Sequence, residues 1–307
     1  MIHLITKGGM GNQMFQYAFA LQVKKVNGDK RIWLNGFYHP FSKDKRKPSL
    51  YHFCLTEHAR NCSLLRACYL MGRFAFTLMR TLGLKGIKSF IKARKRTQVQ
   101  YEKQLCQADI YLIDSAWNVP PIEKSAALKH LFSYFQSPNI VAGIEEEVRA
   151  AFTVKTPASQ ANQEMLRQIQ SHNAVCMHVR RGDYSKHPQF QICNEAYYRE
   201  AVKQALETLE NPVFFVFSTG HEDVEWVRQH YRFDADLRFV DLDNPDYEEL
   251  RLMMACKHFI ISNSTFSWWA AVLSAAAGSE KVVWAPTVWL KGSQLKMTLD
   301  SWRLIEA

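Results

Sequence analysis

Several things are missing from this chain of 307 residues. No unbroken apolar run reaches membrane-spanning length, and the first residues, MIHLITKGGMGNQ, enter a strand pattern and then a glycine loop instead of a basic start with an apolar signal core. A cytoplasmic protein without a spanning anchor is the expectation. There is no low-complexity tract, no acidic tail and no fixed-period repeat, which argues against disorder and against repeat architectures. The seven cysteines (Cys54, Cys62, Cys68, Cys106, Cys176, Cys193, Cys256) form neither a C-x-x-C pair nor a Cys/His cluster at metal spacing. They read as reduced, buried thiols.

Apolar residues make up 47% of the chain and charged residues 22%, enough for a substantial core and two domains. The formal net charge of +10 is unevenly spread. Ten basic residues and no acidic one lie between Arg60 and Arg96, so the excess is one patch. Within residues 61–82, Arg66, Arg73 and Arg80 recur every seven residues and fall on one stripe of a helix. Two readings stay open for residues 61–98: peripheral contact with a membrane, or a helix packed on the first domain with a basic outer edge. No nucleic-acid motif accompanies the patch, so no nucleic-acid partner is expected.

Hydrophobic patterning predicts strands alternating with helices. The first half has a strand at 2–6, a glycine loop at 7–13, a helix at 14–26, strands at 31–34 and 110–114, and a helix at 144–152. The second half has strands at 174–179, 213–217, 237–240, 259–262 and 281–284. The helices between them span 194–209, 222–230, 247–257 and 267–277. This alternation implies an α/β fold with parallel sheets covered on both faces. Such sheets bind ligands at the carboxyl ends of their strands.

Four stretches follow strand ends. KGGMGNQ at 7–13 can bring backbone N–H groups close to an anion, or can be a tight turn. HVRRGDY at 178–184 ends a strand on two arginines. One can meet a phosphate while the other pairs with a carboxylate such as Asp183, and His178 shares the side of Arg180. Asn263, Ser264 and Thr265 stand at a strand-to-helix junction, where hydroxyls cap a helix and N–H groups favour phosphate. FSTGHED at 217–223 places Glu222 and Asp223 at a helix start.

GGMGNQMFQYAFA at 8–20, HVRRGDY at 178–184 and SNSTFSWWAAVL at 262–273, in this order, resemble glycosyltransferase family 11, the α-1,2-fucosyltransferases. YEELRLMMACKH at 247–258 and WAPTVW at 284–289 extend the likeness. The resemblance implies a GT-B-like fold of two Rossmann-like domains with parallel sheets facing a cleft: an acceptor-side domain at 1–160 and a GDP-sugar-binding domain at 161–307. It implies inverting transfer of L-fucose from GDP-L-fucose to a hydroxyl, O2 of a terminal galactose, in a glycan that is lipid-linked in one variant of this reading. No metal and no cofactor beyond the donor substrate are implied.

Carried over by residue, Arg180 meets the diphosphate and His178 the nucleoside. Ser264 and Thr265 donate to phosphate, with Asn263 beside them. Gly9, Gly11, Asn12 and Gln13 belong to the donor loop. Glu249 stands where relatives carry an acid that reads guanine. Asp183 is the candidate catalytic acid–base group beside Arg180, and Glu222 and Asp223 are open alternatives. The family pattern F-S-D-D is replaced by FSTGHED, which predicts a longer loop. Two alternatives stay open: another GDP-sugar as donor, or a non-catalytic nucleotide-sugar or glycan-binding protein.

Overall fold

The computed structural model describes residues 1–29, 31–36, 48–55, 59–61, 110–112, 122, 124, 129–275, 280–293 and 295–307. The chain divides into two compact units, Met1–Tyr51 with Leu55–Phe152, and His52–Cys54 with Thr153–Ala307. Residues 153–160, assigned above to the first domain, lie in the second unit. Thr153 to Lys155 run antiparallel to 52–54, with Cys54 N–H donating to Thr153 O (2.7 Å) and Lys155 N–H to His52 O (2.9 Å). His52 also stacks on Tyr247 at 4.0 Å.

The first unit holds β1 (Ile2–Thr6), α1 (Met10–Asn27), β2 (Ile32–Gly36), β3 (Ala59–Asn61), β4 (Ile110–Leu112), β5 (Lys129–Phe132) and α2 (Glu145–Ala151). Its strands are parallel in the order β3-β2-β1-β5-β4. Strand β1 is wholly buried, and α1 covers the sheet with Phe15 and Phe19. Phe19 stacks on Phe135 at 4.1 Å. Helix α1 stops at Gly28, whose φ of 66° is the left-handed conformation glycine adopts without strain.

The second unit holds α3 (Gln160–Gln170), β6 (Asn173–His178), α4 (Glu195–Thr208), β7 (Pro212–Phe217), α5 (Gly220–His230), β8 (Asp236–Phe239), α6 (Asp246–Met254), β9 (His258–Ile260), α7 (Thr265–Leu273), β10 (Val283–Pro286) and β11 (Arg303–Ile305). All pairings are parallel, in the order β11-β10-β9-β6-β7-β8. Counted within the unit, this is the 3-2-1-4-5-6 order of a doubly wound sheet. The chain leaves β6 toward β7 and β8, then returns to β9 on the other side. The switch point therefore lies between β6 and β9.

Asn194 caps α4 by accepting from Tyr197 N–H at 3.0 Å. Trp268 and Trp269 are core residues beneath the loop that precedes α7, and the Trp268 indole donates to Met297 O at 2.7 Å. Burying each such ring contributes roughly 1.5–3 kcal/mol.

The longest run free of Asp, Glu, Lys and Arg lies between Lys257 and Glu280. It is split into a three-residue strand and the nine-residue α7 by Ser262 to Ser264. Among the described residues no helix is long and apolar enough to cross a membrane. Cys176 and Cys256 are buried free thiols, but Cys54 is exposed, so the expectation of uniformly buried cysteines fails there. Cys62, Cys68, Cys106 and nearly all of the basic segment lie outside the described residues.

Candidate functional site

At the switch point two adjacent strands end and the chain turns away in opposite directions. Two tyrosines of α4 donate to backbone carbonyls where these strands end. Tyr198 O–H donates to His178 O (3.0 Å) and Tyr197 O–H to Ile261 O (2.6 Å). Burial holds both phenols well above their usual pKa, so they stay protonated donors. Neither tyrosine was picked out in the sequence; YY in a helix reads as core until the topology is known.

His178 ends β6 and is buried. Its Nδ1 lies 2.9 Å from Ser262 Oγ, a bond that ties β6 to the segment after β9. Burial, reinforced by the charge of Arg180, lowers its pKa to about 3, so the imidazole is neutral at physiological pH. Its ring lies against Phe266 at 5.8 Å.

Arg180 and Arg181 are held differently. Arg180 Nη1 donates to Thr219 Oγ1 (3.2 Å), and its guanidinium lies 5.2 Å from the centre of the Tyr184 ring. Arg181 is taken up by α5: its Nε is 3.4 Å from Asp223 Oδ1, and its guanidinium lies on the Trp226 ring at 3.3 Å. The second arginine thus pairs with Asp223, where the sequence had suggested Asp183. Asp183 sits in a single 3-10 turn, Gly182–Lys186, and its side chain lies outside the described residues.

The FSTGHED departure does not lengthen the loop. Strand β7 ends at Phe217 and α5 begins at Gly220, so two residues connect them. The extra residues are absorbed as the first turn of the helix, which carries Glu222 and Asp223. Glu222 is exposed, whereas Asp223 accepts from Gly182 N–H at 2.8 Å.

After β9, Ser264 caps α7, accepting from Phe266 N–H at 3.3 Å, and Thr265 opens the helix. The N-terminal end of α7 and Arg180 thus stand at the carboxyl ends of neighbouring strands, and a helix end and a guanidinium are each groups that favour phosphate. Asn263 does a different job. Its Nδ2 donates to Phe190 O and Trp289 O, each at 3.1 Å, and its backbone carbonyl accepts from Tyr184 O–H at 3.2 Å. It locks three loops together with both amide donors used.

Glu249, in the first turn of α6, is half-buried. Burial raises its pKa to about 7, while Arg180 pulls it down and Asp246 pushes it up. Its neighbour Glu248 is buried and structural, bonded to Asn162 Nδ2 (3.1 Å) and Arg251 Nη2 (3.1 Å).

In the first unit the glycine loop is built by glutamines. Gln13 donates to Gly8 O and accepts from Ser49 N–H, each at 2.9 Å. Gln16 accepts from Lys7 N–H and donates to Lys7 O, again at 2.9 Å. Asn12 Oδ1 accepts from Gln136 at 2.7 Å. Gly9 is the N-cap of α1, and Gly11 is buried in its first turn. Gly8 has φ +80°, and a Cβ there would meet Asn12 Nδ2 at 2.9 Å. The G-G-x-G-N-Q-x-F-Q spacing is therefore a loop-folding code. Lys7, missed in the sequence, lies over Phe132 and Tyr134 at 4.5 Å each.

Two Asp-x-Asp runs, a pattern used by metal-dependent sugar transferases, occur at Asp234–Asp236 and Asp241–Asp243. Asp236 is paired with Arg238 at 3.1 Å and Asp241 with His221 at 2.6 Å. Among the described residues no three His, Cys, Asp or Glu side chains gather as a metal site.

A doubly wound sheet with an arginine and a helix end at its switch point, in a chain whose other unit is also α/β with a parallel sheet, has the make-up of a GT-B-type glycosyltransferase. A solved structure of this class, NodZ alpha-1,6-fucosyltransferase soaked with GDP-fucose, shares the fold with a TM-score of 0.50, at 12% identity over 89% of this chain and 91% of that one. The model of glycosyl transferase family 11 matches residues 116–302, and the chain belongs to that family. It is similar to an alpha-1,2-colitosyltransferase of Escherichia coli, 25% identical over 94% of this chain and 92% of the relative. It is also similar to galactoside alpha-(1,2)-fucosyltransferase 1 of Saimiri boliviensis boliviensis, 32% identical over 43% of this chain and 39% of the relative.

Proposed function

We propose that this glycosyltransferase moves L-fucose from GDP-L-fucose to O2 of a terminal galactose in a glycan, with inversion and without a metal. The observation that carries the reading is that Arg180 and the N-terminal end of α7, capped by Ser264, follow the adjacent strands β6 and β9 at the switch point of the second unit's sheet. In the reaction the bond from fucose C1 to the β-phosphate oxygen breaks, and GDP leaves with its electron pair. The bond from C1 to the acceptor oxygen forms, and the hydroxyl proton passes to a base, for which Asp183 is our candidate.

Arg180, Ser264 and Thr265 neutralise the charge that grows on the diphosphate. Removing one preorganised donor of this kind costs roughly 3–4 kcal/mol of barrier. The neutral imidazole of His178 lines the nucleoside side without adding a competing cation. Glu249, once ionised, accepts from the N1 and N2 hydrogens of guanine. The assignment of Gly9, Gly11, Asn12 and Gln13 to the donor rests on the resemblance alone.

A second reading, transfer of another GDP-sugar, is favoured by the similarity to an alpha-1,2-colitosyltransferase over nearly the whole chain. Calorimetric titration separates the two. GDP-fucose should bind more tightly than GDP-mannose, and Arg180→Ala should abolish transfer. Equal affinities would remove fucose from the account, and binding without turnover would leave a non-catalytic binder.

Contact of residues 61–98 with an anionic membrane is a separate proposal. It requires sedimentation with anionic vesicles that weakens as salt rises; sedimentation indifferent to salt would end it.

A further inference from the structure

Consecutive side chains leaving a strand point to opposite sides, so the aim of Arg180 depends on what grips the turn that follows it. That grip comes from the start of α5. Asp223 Oδ2 accepts from Gly182 N–H at 2.8 Å, and Oδ1 lies 3.4 Å from Arg181 Nε. Trp226, three residues on and so on the same helix face, lies 3.3 Å from the Arg181 guanidinium. Thr219 completes the contact. Its Oγ1 accepts from Arg180, and its Cγ2 would be 3.2 Å from a Cβ placed at residue 182. Gly182 has φ +34°, so the turn is closed both by conformation and by lack of space. One helix start thus touches three successive residues of the arginine turn.

We propose that Asp223 is a positioning residue that fastens the Arg181–Gly182 turn to α5 and thereby aims Arg180 at the donor's diphosphate. The proposal rests on the donor reading given above. The chemistry is that of a charged acceptor bonded to a backbone N–H, stronger than a neutral pair and directional.

The test is a mutant cycle read by calorimetry with GDP and with guanosine, which lacks phosphate. Asp223→Ala should weaken GDP binding about 10- to 100-fold, the range expected for a misaligned group. It should leave guanosine binding unchanged. The double variant Arg180→Ala/Asp223→Ala should bind GDP no more weakly than Arg180→Ala alone, because Asp223 acts through Arg180. Asp223→Asn, which keeps an acceptor for Gly182 N–H and loses the charge, should fall between wild type and Asp223→Ala.

Folded Asp223→Ala with wild-type GDP affinity would overturn the proposal. So would equal loss of GDP and guanosine, or a double variant weakened by the full further factor. If Asp223→Ala does not fold, Asp223→Asn decides by the same measurements: weaker GDP binding with guanosine unchanged supports the role, and wild-type affinity overturns it. Wild-type protein that binds neither GDP nor GDP-fucose would overturn the donor reading itself, and the positioning role with it.

Discussion

Asn263 shows how a motif residue can serve a site by holding its loops. Both donors of its amide end on loop carbonyls, Phe190 O and Trp289 O, in a buried setting. Asn263→Ala would take the Asn263 donor from Trp289 O and leave Phe190 O with Ile192 N–H, at about 1–3 kcal/mol for the orphaned group. Urea unfolding should show that loss as a lower midpoint with an unchanged slope; a midpoint equal to wild type would contradict the role. In the sequence Asn263 is indistinguishable from Ser264, since both are small polar residues at a strand-to-helix junction. Gln13 and Asn12 present the same ambiguity in the glycine loop. Residue type and spacing mark loops at strand ends, but they do not separate the groups that would meet a ligand from those that hold the loop. Asp223 was legible only as an acid at a helix start, because its partners Arg181 and Gly182 lie about 40 residues earlier in the chain.

Among the elements, the loop before α1 depends most sharply on one residue. Gly8 combines φ +80° with a neighbour 2.9 Å from the position of a Cβ. Gly8→Ala should cost about 1–3 kcal/mol through strain, and it should disturb the Gln13 bond to Gly8 O. Thermal unfolding and activity should fall together; an unchanged Gly8→Ala protein would mean that the loop tolerates another backbone.

The strands and helices of the second unit were readable where apolar runs and capping residues are strong, as at β7 and at Asn194. Four elements escaped, the three-residue β3 (Ala59–Asn61) among them. Helix α3 is amphipathic but polar on balance and buries only Asn162 and Ile169, so its few apolar residues do not stand out from the polar stretch before it. Strand β5 is Lys129–Phe132, with a buried lysine that pairs with Asp29 at 3.0 Å; a lysine and a histidine do not read as a central strand. Strand β11 is three residues at a sheet edge.

At the scale of the molecule, both units hold buried histidines in the neutral form. Burial, with His130 adding, lowers His3 to about 4, and burial also lowers its partner His130. In the second unit His178 falls to about 3 and His258 to about 4, again chiefly through burial. Unfolded histidines protonate near pH 6.5, so these groups contribute stability that is complete above that pH and is lost as pH falls toward 4. His221, raised by its bond to Asp241, has the opposite sign but is exposed and screened. The unfolding temperature should therefore drop steadily between pH 6.5 and 4; a flat profile over that window would contradict the neutral assignments.

The strand order was beyond the sequence, because alternation of strands and helices fixes a parallel sheet but not the side on which each strand is added. That order makes the strands followed by Arg180 and by Ser264 neighbours, and on it the central claim rests. The most direct measurement is incubation of the purified protein with GDP-fucose and a panel of galactose-terminated acceptors, with product and linkage determined. The expected result is an α-1,2-linked fucosyl product that disappears in Arg180→Ala. Absence of both transfer and slow donor hydrolysis in the wild-type protein would contradict it.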